Sequence, residues 1–372
     1  MEYIFKKILS DTDIEQIESF YNSLDHAPIE QHPLWFKTVE PKDVNYFIAY
    51  ENTEVVCYSV LIEKKIGPLK FAEIHFGPLF QDPEHLISSL IAITKYYRKK
   101  LFLYLTVQLA RITDATTDYI EAKVYQAAKF TNTFDRNNWS SIIINLDEDL
   151  DTILKNLRSD HRRSIKKAEK ANLKIRHAES ADDIKELAAI YHKMESFKKF
   201  DSHSIAHIES FFTRIYEFIT KKDKGYVILV TDDAGKILGG IINVLQGKRV
   251  RIFKGGADPE RKNVPLMHTA VFESIKIAKS MGIPYLDLWG YNHYVGPDDQ
   301  IHNINLFKQG FGGRFIFYPK IMHFQIFPFG RFVYNLLMKI KKKTTGIFPR
   351  KISSCSFLFF LEELSAIGRL CF

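Results

Sequence analysis

Along this chain the apolar positions switch between two periods, and the switching predicts an α/β plan laid down twice. Asp13–Leu24 puts Ile14, Ile17, Phe20, Tyr21 and Leu24 on one face of a helix. After Gln31-His32-Pro33-Leu34-Trp35, three apolar runs read as strands: Tyr46–Tyr50, Val55–Glu63 and Leu69–Phe76. Glu51-Asn52-Thr53-Glu54 turns the first into the second, and Gly67-Pro68 breaks the run before the third. Pro83–Lys99 has the helical period, Leu101–Leu109 reads as a strand, Asp118–Ala128 as a helix and Ser141–Leu146 as a strand.

The order then recurs. Tyr226–Val230, a turn at Asp232-Asp233-Ala234-Gly235, Ile237–Leu245 and Arg249–Gly255 are again three strands. Pro265–Met281 is again a helix and Tyr285–Trp289 again a strand. The two sets align at an offset of roughly 180 residues, which means a duplicated unit and not a solenoid. In each, antiparallel strands lead through a helix to a strand parallel to the third, a mixed α/β arrangement. The expected organisation is a first unit over 1–150, a second over 151–327 and a tail over 328–372.

Between the halves, Leu154–Lys170 reads as one amphipathic helix. Arg158, Arg162, Lys166 and Lys170 follow one another at i, i+4, while Leu154, Leu157, Ile165 and Ala168 mark the apolar side. Aligned arginines can hold a phosphate bidentately; a solvated basic face is the ordinary alternative. Asp182–Phe197 and Ser204–Thr220 are helical by period and carry no catalytic spacing. In the tail, Phe329–Lys343 sets Phe332, Val333, Leu336, Leu337 and Ile340 on one side and ends in three lysines. Such a helix suits an anionic membrane interface or packing on the first unit. No apolar run approaches the ~18–20 residues of a spanning helix.

The formal charge of +8 favours an anionic partner, whether a phosphate ester, an acidic lipid surface or RNA. Cys57, Cys355 and Cys371 are widely spaced and make no metal-ligand or C-x-x-C pattern, which fits a reducing cytoplasm. The N-terminus runs into acids before a signal-peptide core can form. Phosphate-loop, nucleophile-elbow and H-E-x-x-H motifs are missing, and the scattered histidines form no ligand set. With no obvious nucleophile, the chain suits transfer of an already activated acyl group, which needs little beyond positioning and oxyanion stabilisation.

The candidate chemistry gathers in Gly282–Phe311, where a strand empties into a polar loop and Leu306-Phe307-Lys308 returns a lysine beside aromatic residues. Lys308 can stabilise an oxyanion and Asp287 can accept a proton. The ordinary readings are a strand-loop-strand with Lys308 in solvent, and a strand aspartate that bonds loop backbone.

Four stretches resemble the Fem family, the peptidoglycan-bridge aminoacyltransferases, and their acetyltransferase-like kin. They are Gln31 to Trp35; L-R-S-D-H-R-R-S-I-K-K-A-E-K-A-N-L-K-I at 157–175; F-K-G-G-A-D with P-L-M-H-T-A-V-F-E-S-I-K-I-A-K-S-M-G at 253–282; and Y-L-D-L-W-G with N-L-F-K-Q-G-F-G at 285–312. The resemblance implies two tandem GNAT-like domains with mixed sheets, followed by a helical tail. It implies an active site at Phe307 and Lys308, with Trp289 shaping the pocket beside Phe307. By the same analogy Arg158, Arg162, Arg163 and Lys166 lie near the acceptor's phosphates, and Trp35 and Lys37 near the acceptor. This chain departs from the family in three places. Lys37 comes early and Val39 follows; the second domain has no room for a long helical arm; and the glycine-rich loop that binds coenzyme A pyrophosphate in GNAT enzymes is missing, with Gly255-Gly256-Ala257 a faint echo.

The expected function is acyl or aminoacyl transfer to an amine of a phosphate-bearing cell-envelope precursor, either a peptidoglycan intermediate or a surface polysaccharide sugar. The donor would be acyl-CoA or aminoacyl-tRNA, with no tightly bound cofactor and no metal. The expected place is the cytoplasm, with peripheral contact at the inner face of the cell membrane through 329–343. A non-catalytic scaffold in envelope assembly and an RNA-binding protein stay open as other classes. The charge, concentrated in one helix and the tail, speaks against the latter.

Overall fold

In the computed structural model the apolar runs form two mixed sheets. The structure describes residues 1–66, 69–110, 131–132, 140–200, 203–261, 263–319, 321–326 and 333. The strands are β1 (Glu2–Lys6), β2 (Val44–Glu51), β3 (Glu54–Ile66), β4 (Leu69–His75), β5 (Leu79–Phe80), β6 (Tyr104–Gln108), β7 (Thr131–Asn132) and β8 (Ser140–Asn145). They continue with β9 (Lys174–His177), β10 (Gly225–Thr231), β11 (Ile237–Leu245), β12 (Arg249–Ala257), β13 (Tyr285–Asp287), β14 (Arg314–Phe317) and β15 (Met322–Gln325). The helices are α1 (Asp11–Ser23), α2 (Trp35–Thr38), α3 (Pro83–Lys99), α4 (Leu150–Asn156), α5 (Ser159–Glu169), α6 (Ala181–Phe197), α7 (Ile205–Lys221), α8 (Leu266–Ser280) and α9 (His302–Gln309). Side-chain oxygens cap several of them, Ser10 with Asp13 as a capping box on α1 and Asp82 ahead of Pro83 on α3.

The first sheet runs β1-β2-β3-β4-β6-β15-β7, with β5 beside β3; the second runs β9-β10-β11-β12-β13-β8-β14. The two orders superimpose, as the duplication requires. In each, the parallel pair is the one spanned by a helix: β4 with β6 across α3, and β12 with β13 across α8. The sixth place in each sheet is filled from elsewhere in the chain. β15 enters the first sheet beside β6, and β8 enters the second beside β13. Each sheet thus depends on a strand delivered from the other half of the sequence.

Both sheets are covered on both faces, which explains their nearly unbroken apolar runs. On β2, Tyr46 and Ile48 face one way while Phe47 and Ala49 face the other, where α3 brings Leu86, Leu90 and Ile93. On the second sheet Val227, Leu229 and Val244 face a core shared with α1, α6 and α7, and Leu238, Val250 and Leu286 pack under α8. The shared core joins Ile17, Trp35 and Tyr58 of the first unit to Leu187, Phe212 and Phe218 of the second.

Several expectations change in detail. Leu154–Lys170 is two helices, because the chain is extended at Leu157 and Arg158. That break drives Leu157 into the core and lets the Arg158 N–H bond the Gly310 carbonyl at 2.9 Å. The strand expected over Tyr285–Trp289 stops at Asp287, and Leu306-Phe307-Lys308 lies on α9, not on a returning strand. The helices expected at Asp118–Ala128 and Phe329–Lys343 lie outside the described residues, Val333 apart, as does Ser356–Leu361. Among the described residues no helix is long and apolar enough to cross a membrane.

Candidate active site

The site opens where two parallel strands part. β12 and β13 pair from Arg249↔Tyr285 to Arg251↔Asp287. Beyond that point β12 runs on along β11 to Ala257. The other strand stays with β8, through Leu288 N–H to Ile142 O at 3.0 Å and Tyr291 N–H to Ser140 O at 3.0 Å. The gap is a cleft of about 590 Å³, walled by Tyr191, Phe253, Trp289 and Phe307, with the amines of Lys198, Lys254 and Lys308 along it. A second cavity of about 540 Å³ adjoins it, sharing Met194, Lys198, Met267 and Phe307 and adding Lys167, Arg261 and His268.

At the parting point the backbone turns sharply. Trp289 (φ 45°) and Gly290 (φ 59°) are both left-handed, a conformation that costs a tryptophan of order 1 kcal/mol. Three groups hold it there. Asp287 Oδ1 accepts from the Trp289 N–H at 2.8 Å and from the Ser141 hydroxyl. The indole lies against Phe76 and Tyr318, at 5.1 and 5.4 Å between ring centroids. On another side the Arg251 guanidinium sits 4.3 Å from the indole centroid. Arg251 is fully buried and is paired with Glu30 of the first unit at 2.8 Å. The turn therefore rests on both halves of the chain.

Its two carbonyls point at Lys308, whose amine donates to Trp289 O and, at 2.8 Å, to Gly290 O. Burial pulls the Lys308 ammonium down to about 8, against the attraction of Asp287 and with the repulsion of Lys254. Asp287 is fully buried and is not among the groups walling the cleft. Burial raises its pKa against the bonds from Ser141 and Trp289.

α9 carries Lys308 in and is locked from the basic helix. His161, only 2 % exposed, places Nε2 2.8 Å from the Phe307 carbonyl, and its ring meets Phe311 at 4.8 Å and His268 at 4.5 Å. Gly310 follows because a Cβ there would stand 2.0 Å from the His161 ring. His268, pressed by burial and by His161, is pushed down to about 4 and stays neutral.

Phe307, Lys308 and Trp289 thus come together in the cleft, with Asp287 directly behind the turn. The other expected residues lie apart. Arg158 forks onto Asp160 at 2.6 and 2.8 Å and reaches the Leu306 carbonyl at 3.4 Å. Arg162 donates to the Lys155 and Leu157 carbonyls and so caps α4. Arg163 and Lys166 are exposed on α5. Trp35 is 1 % exposed in the shared core, stacked edge-on against Phe253 at 5.7 Å, so it backs the cleft wall without reaching the cleft. Lys37 is exposed beside a separate cavity of about 400 Å³ with Lys7 and Lys42. Sequence reasoning passed over Lys254, Tyr191, His161 and His268. One signal was available, since a lysine inside the buried run R-V-R-I-F-K-G-G-A is out of place unless a cleft receives it.

The chain is similar to known proteins at the level of family and fold. Residues 14–220 match the FemAB family, and residues 155–298 match the acetyltransferase (GNAT) domain. No curated protein sequence matches. Among solved structures, FemX superposes with a TM-score of 0.76 at 14% identity, covering 90% of this chain and 99% of that one. The C-terminal domain of a putative lysylphosphatidylglycerol synthetase from Agrobacterium fabrum gives 0.54 at 12% identity, covering 88% and 94%. A tandem GNAT protein from the clavulanic acid biosynthesis pathway gives 0.53 at 11% identity, covering 88% and 99%. With the duplicated sheets and the parted strands already in view, the chain belongs to the FemAB family and is an acyl- or aminoacyltransferase built from two GNAT-like units.

Proposed function

We propose that this transferase acylates an amine of a phosphate-bearing cell-envelope precursor, a peptidoglycan intermediate or a surface polysaccharide sugar, in the cleft between β12 and β13. The observation that carries the reading is the Lys308 amine, fixed by two carbonyls at the point where the strands part. There its positive charge stands ready for a tetrahedral oxyanion. Phe307 and Trp289 form the walls that align donor and acceptor, and Asp287 positions the turn. The donor is acyl-CoA or aminoacyl-tRNA. In place of a glycine-rich loop, the side chains of Lys167, Arg261 and Lys198 are available to its phosphates in the adjoining cavity. Arg163 and Lys166 are free to meet the acceptor's phosphates, whereas Arg158 and Arg162 are committed to local bonds. The enzyme works in the cytoplasm, and segment 329–343, outside the described residues but for Val333, brings it to lipid-linked acceptors at the inner membrane face.

A thermal-shift screen against acetyl-CoA, alanyl-tRNA, UDP-N-acetylmuramyl pentapeptide and UDP-amino sugars tests this. A ligand at about 100 times its dissociation constant adds about 2.7 kcal/mol of stability. A shift with one donor and one acceptor is the expected result, and its identity selects between the two donors. No shift with any of them contradicts the reading.

A further inference from the structure

A transfer to an amine must dispose of protons, and the cleft holds one arrangement suited to that task. Among the described residues that wall it there is no Asp, Glu or His. Asp287 is sealed behind the turn, and His268 faces the adjoining cavity with a value near 4, too low to hold a proton at neutral pH. The remaining basic groups are three amines. Lys198, just past the end of α6, is exposed over much of its side chain, and partial burial of its amine lowers its pKa, but among the described residues no hydrogen bond ties it to a relay. Lys308 gives its N–H bonds to two carbonyls, which favour the ammonium. Among the described residues Lys254 has no carbonyl in that role: its amine meets the Tyr191 hydroxyl at 3.4 Å and lies 5.6 Å from the Tyr191 ring centroid.

Tyr191 continues the path. Glu195, one turn further along α6, lies close enough to the Tyr191 phenol for its carboxylate to help raise the phenol's pKa. Lys254, Tyr191 and Glu195 therefore form a line from the cleft along α6. Resting on the transferase reading above, the geometry points to Lys254 as a second catalytic residue, the proton acceptor for the attacking amine, with Tyr191 and Glu195 as its relay. Lys308, held by two carbonyls, and Lys254, with the Tyr191 hydroxyl as its partner, divide the work between oxyanion stabilisation and proton transfer.

The protons balance as follows. An acceptor arriving as an ammonium gives one proton to Lys254, which passes it along the Tyr191 hydroxyl and the partly exposed Glu195 carboxylate to solvent. The free amine attacks the acyl carbonyl, the C–N bond forms, and the oxyanion develops beside Lys308. Lys254 takes the second proton from the new nitrogen. Collapse breaks the C–O bond of an ester donor or the C–S bond of a thioester, and the departing alkoxide or thiolate takes that proton from Lys254. The groups facing Lys254 are Tyr191 and Glu195 from α6, with Glu195 favouring the ammonium, and Lys308 from α9. Burial outweighs Glu195 and holds the Lys254 pKa below the ordinary lysine value.

The test measures kcat from about pH 6.5 to about pH 10 for wild type, Lys254→Met, Lys254→Arg and Tyr191→Phe. The donors are acetyl-CoA and alanyl-tRNA, and the acceptors UDP-N-acetylmuramyl pentapeptide and a UDP-amino sugar. Folding of each variant is checked by circular dichroism. Lys254→Met should lose about 100-fold or more near neutral pH, and its deficit relative to wild type at the same pH should narrow as the pH rises and frees the acceptor amine. Lys254→Arg, which keeps the charge but stays protonated and so cannot accept a proton, should not rescue. Tyr191→Phe, which keeps the wall and removes the relay hydroxyl, should show a smaller loss of the same pH shape. Full activity of Lys254→Arg, a loss equal at every pH, or a wild-type profile in Tyr191→Phe overturns the assignment. Wild-type protein inactive with every pair overturns the transferase reading and this inference together. Active wild type with an unimpaired Lys254→Met overturns this inference alone.

Discussion

Lys308 ties the stability of the fold to pH in a direction that can be worked out. Its pKa is about 8 in the folded protein and returns to the ordinary 10.5 on unfolding. Between these values the unfolded state binds more protons, so stability rises with pH. Below about pH 8 both states are protonated, and the full cost of the buried ammonium is present. From about pH 7 to about pH 10 the wild type should gain about 2.5 kcal/mol from this group, at ~1.4 kcal/mol per pKa unit with the upper end of the window still partly protonated. Lys308→Met removes the titration, so the gap in unfolding free energy between variant and wild type should close by that amount in the wild type's favour. Urea unfolding of both proteins at the two pH values, with linear extrapolation, reads the gap directly. A gap that does not change with pH refutes the reasoning, since Lys308 would then titrate like a solvent-exposed lysine.

Gly310→Ala forces a methyl into the His161 ring and should cost about 1–3 kcal/mol or more, read as a fall in the urea midpoint. Glu30→Gln leaves the fully buried Arg251 without its ionic partner and should cost about 3 kcal/mol by the same assay. An unchanged midpoint would mean that the first unit does not support the turn at Trp289 and Gly290. Because β8 and β15 complete each other's sheets, fragments 1–150 and 151–327 expressed separately should both lack cooperative unfolding transitions.

Much of the secondary structure was legible because period and burial agree. α3 was readable to the residue from Asp82-Pro83 at its start and its apolar stripe, and the β2-β3-β4 and β10-β11-β12 runs from their apolar continuity. The edge strands β1 and β9 were not, since half-exposed runs such as Lys174–His177 carry weak alternation and gain their partners only from the sheet. The strand exchange was invisible, because periodicity marks a strand but not the sheet that takes it. Lys308 was found through motif resemblance, yet its surroundings came from afar: carbonyls of a turn 18 and 19 residues away, and a histidine 146 residues away that bonds Phe307. The basic stripe misled because i, i+4 spacing cannot foresee the break at Leu157 and Arg158, which core packing and the Gly310 carbonyl impose.

The central claim is that the Lys308 amine stabilises the transition state of transfer. The measurement that tests it most directly is kcat for wild type and Lys308→Met with the donor and acceptor that shift the wild-type melting temperature. Lys308→Met should fold, keep both shifts and lose about 10²–10³-fold in kcat, the scale of removing an oxyanion donor. A folded Lys308→Met that turns over at the wild-type rate would contradict the account and move the chemistry away from the point where β12 and β13 part.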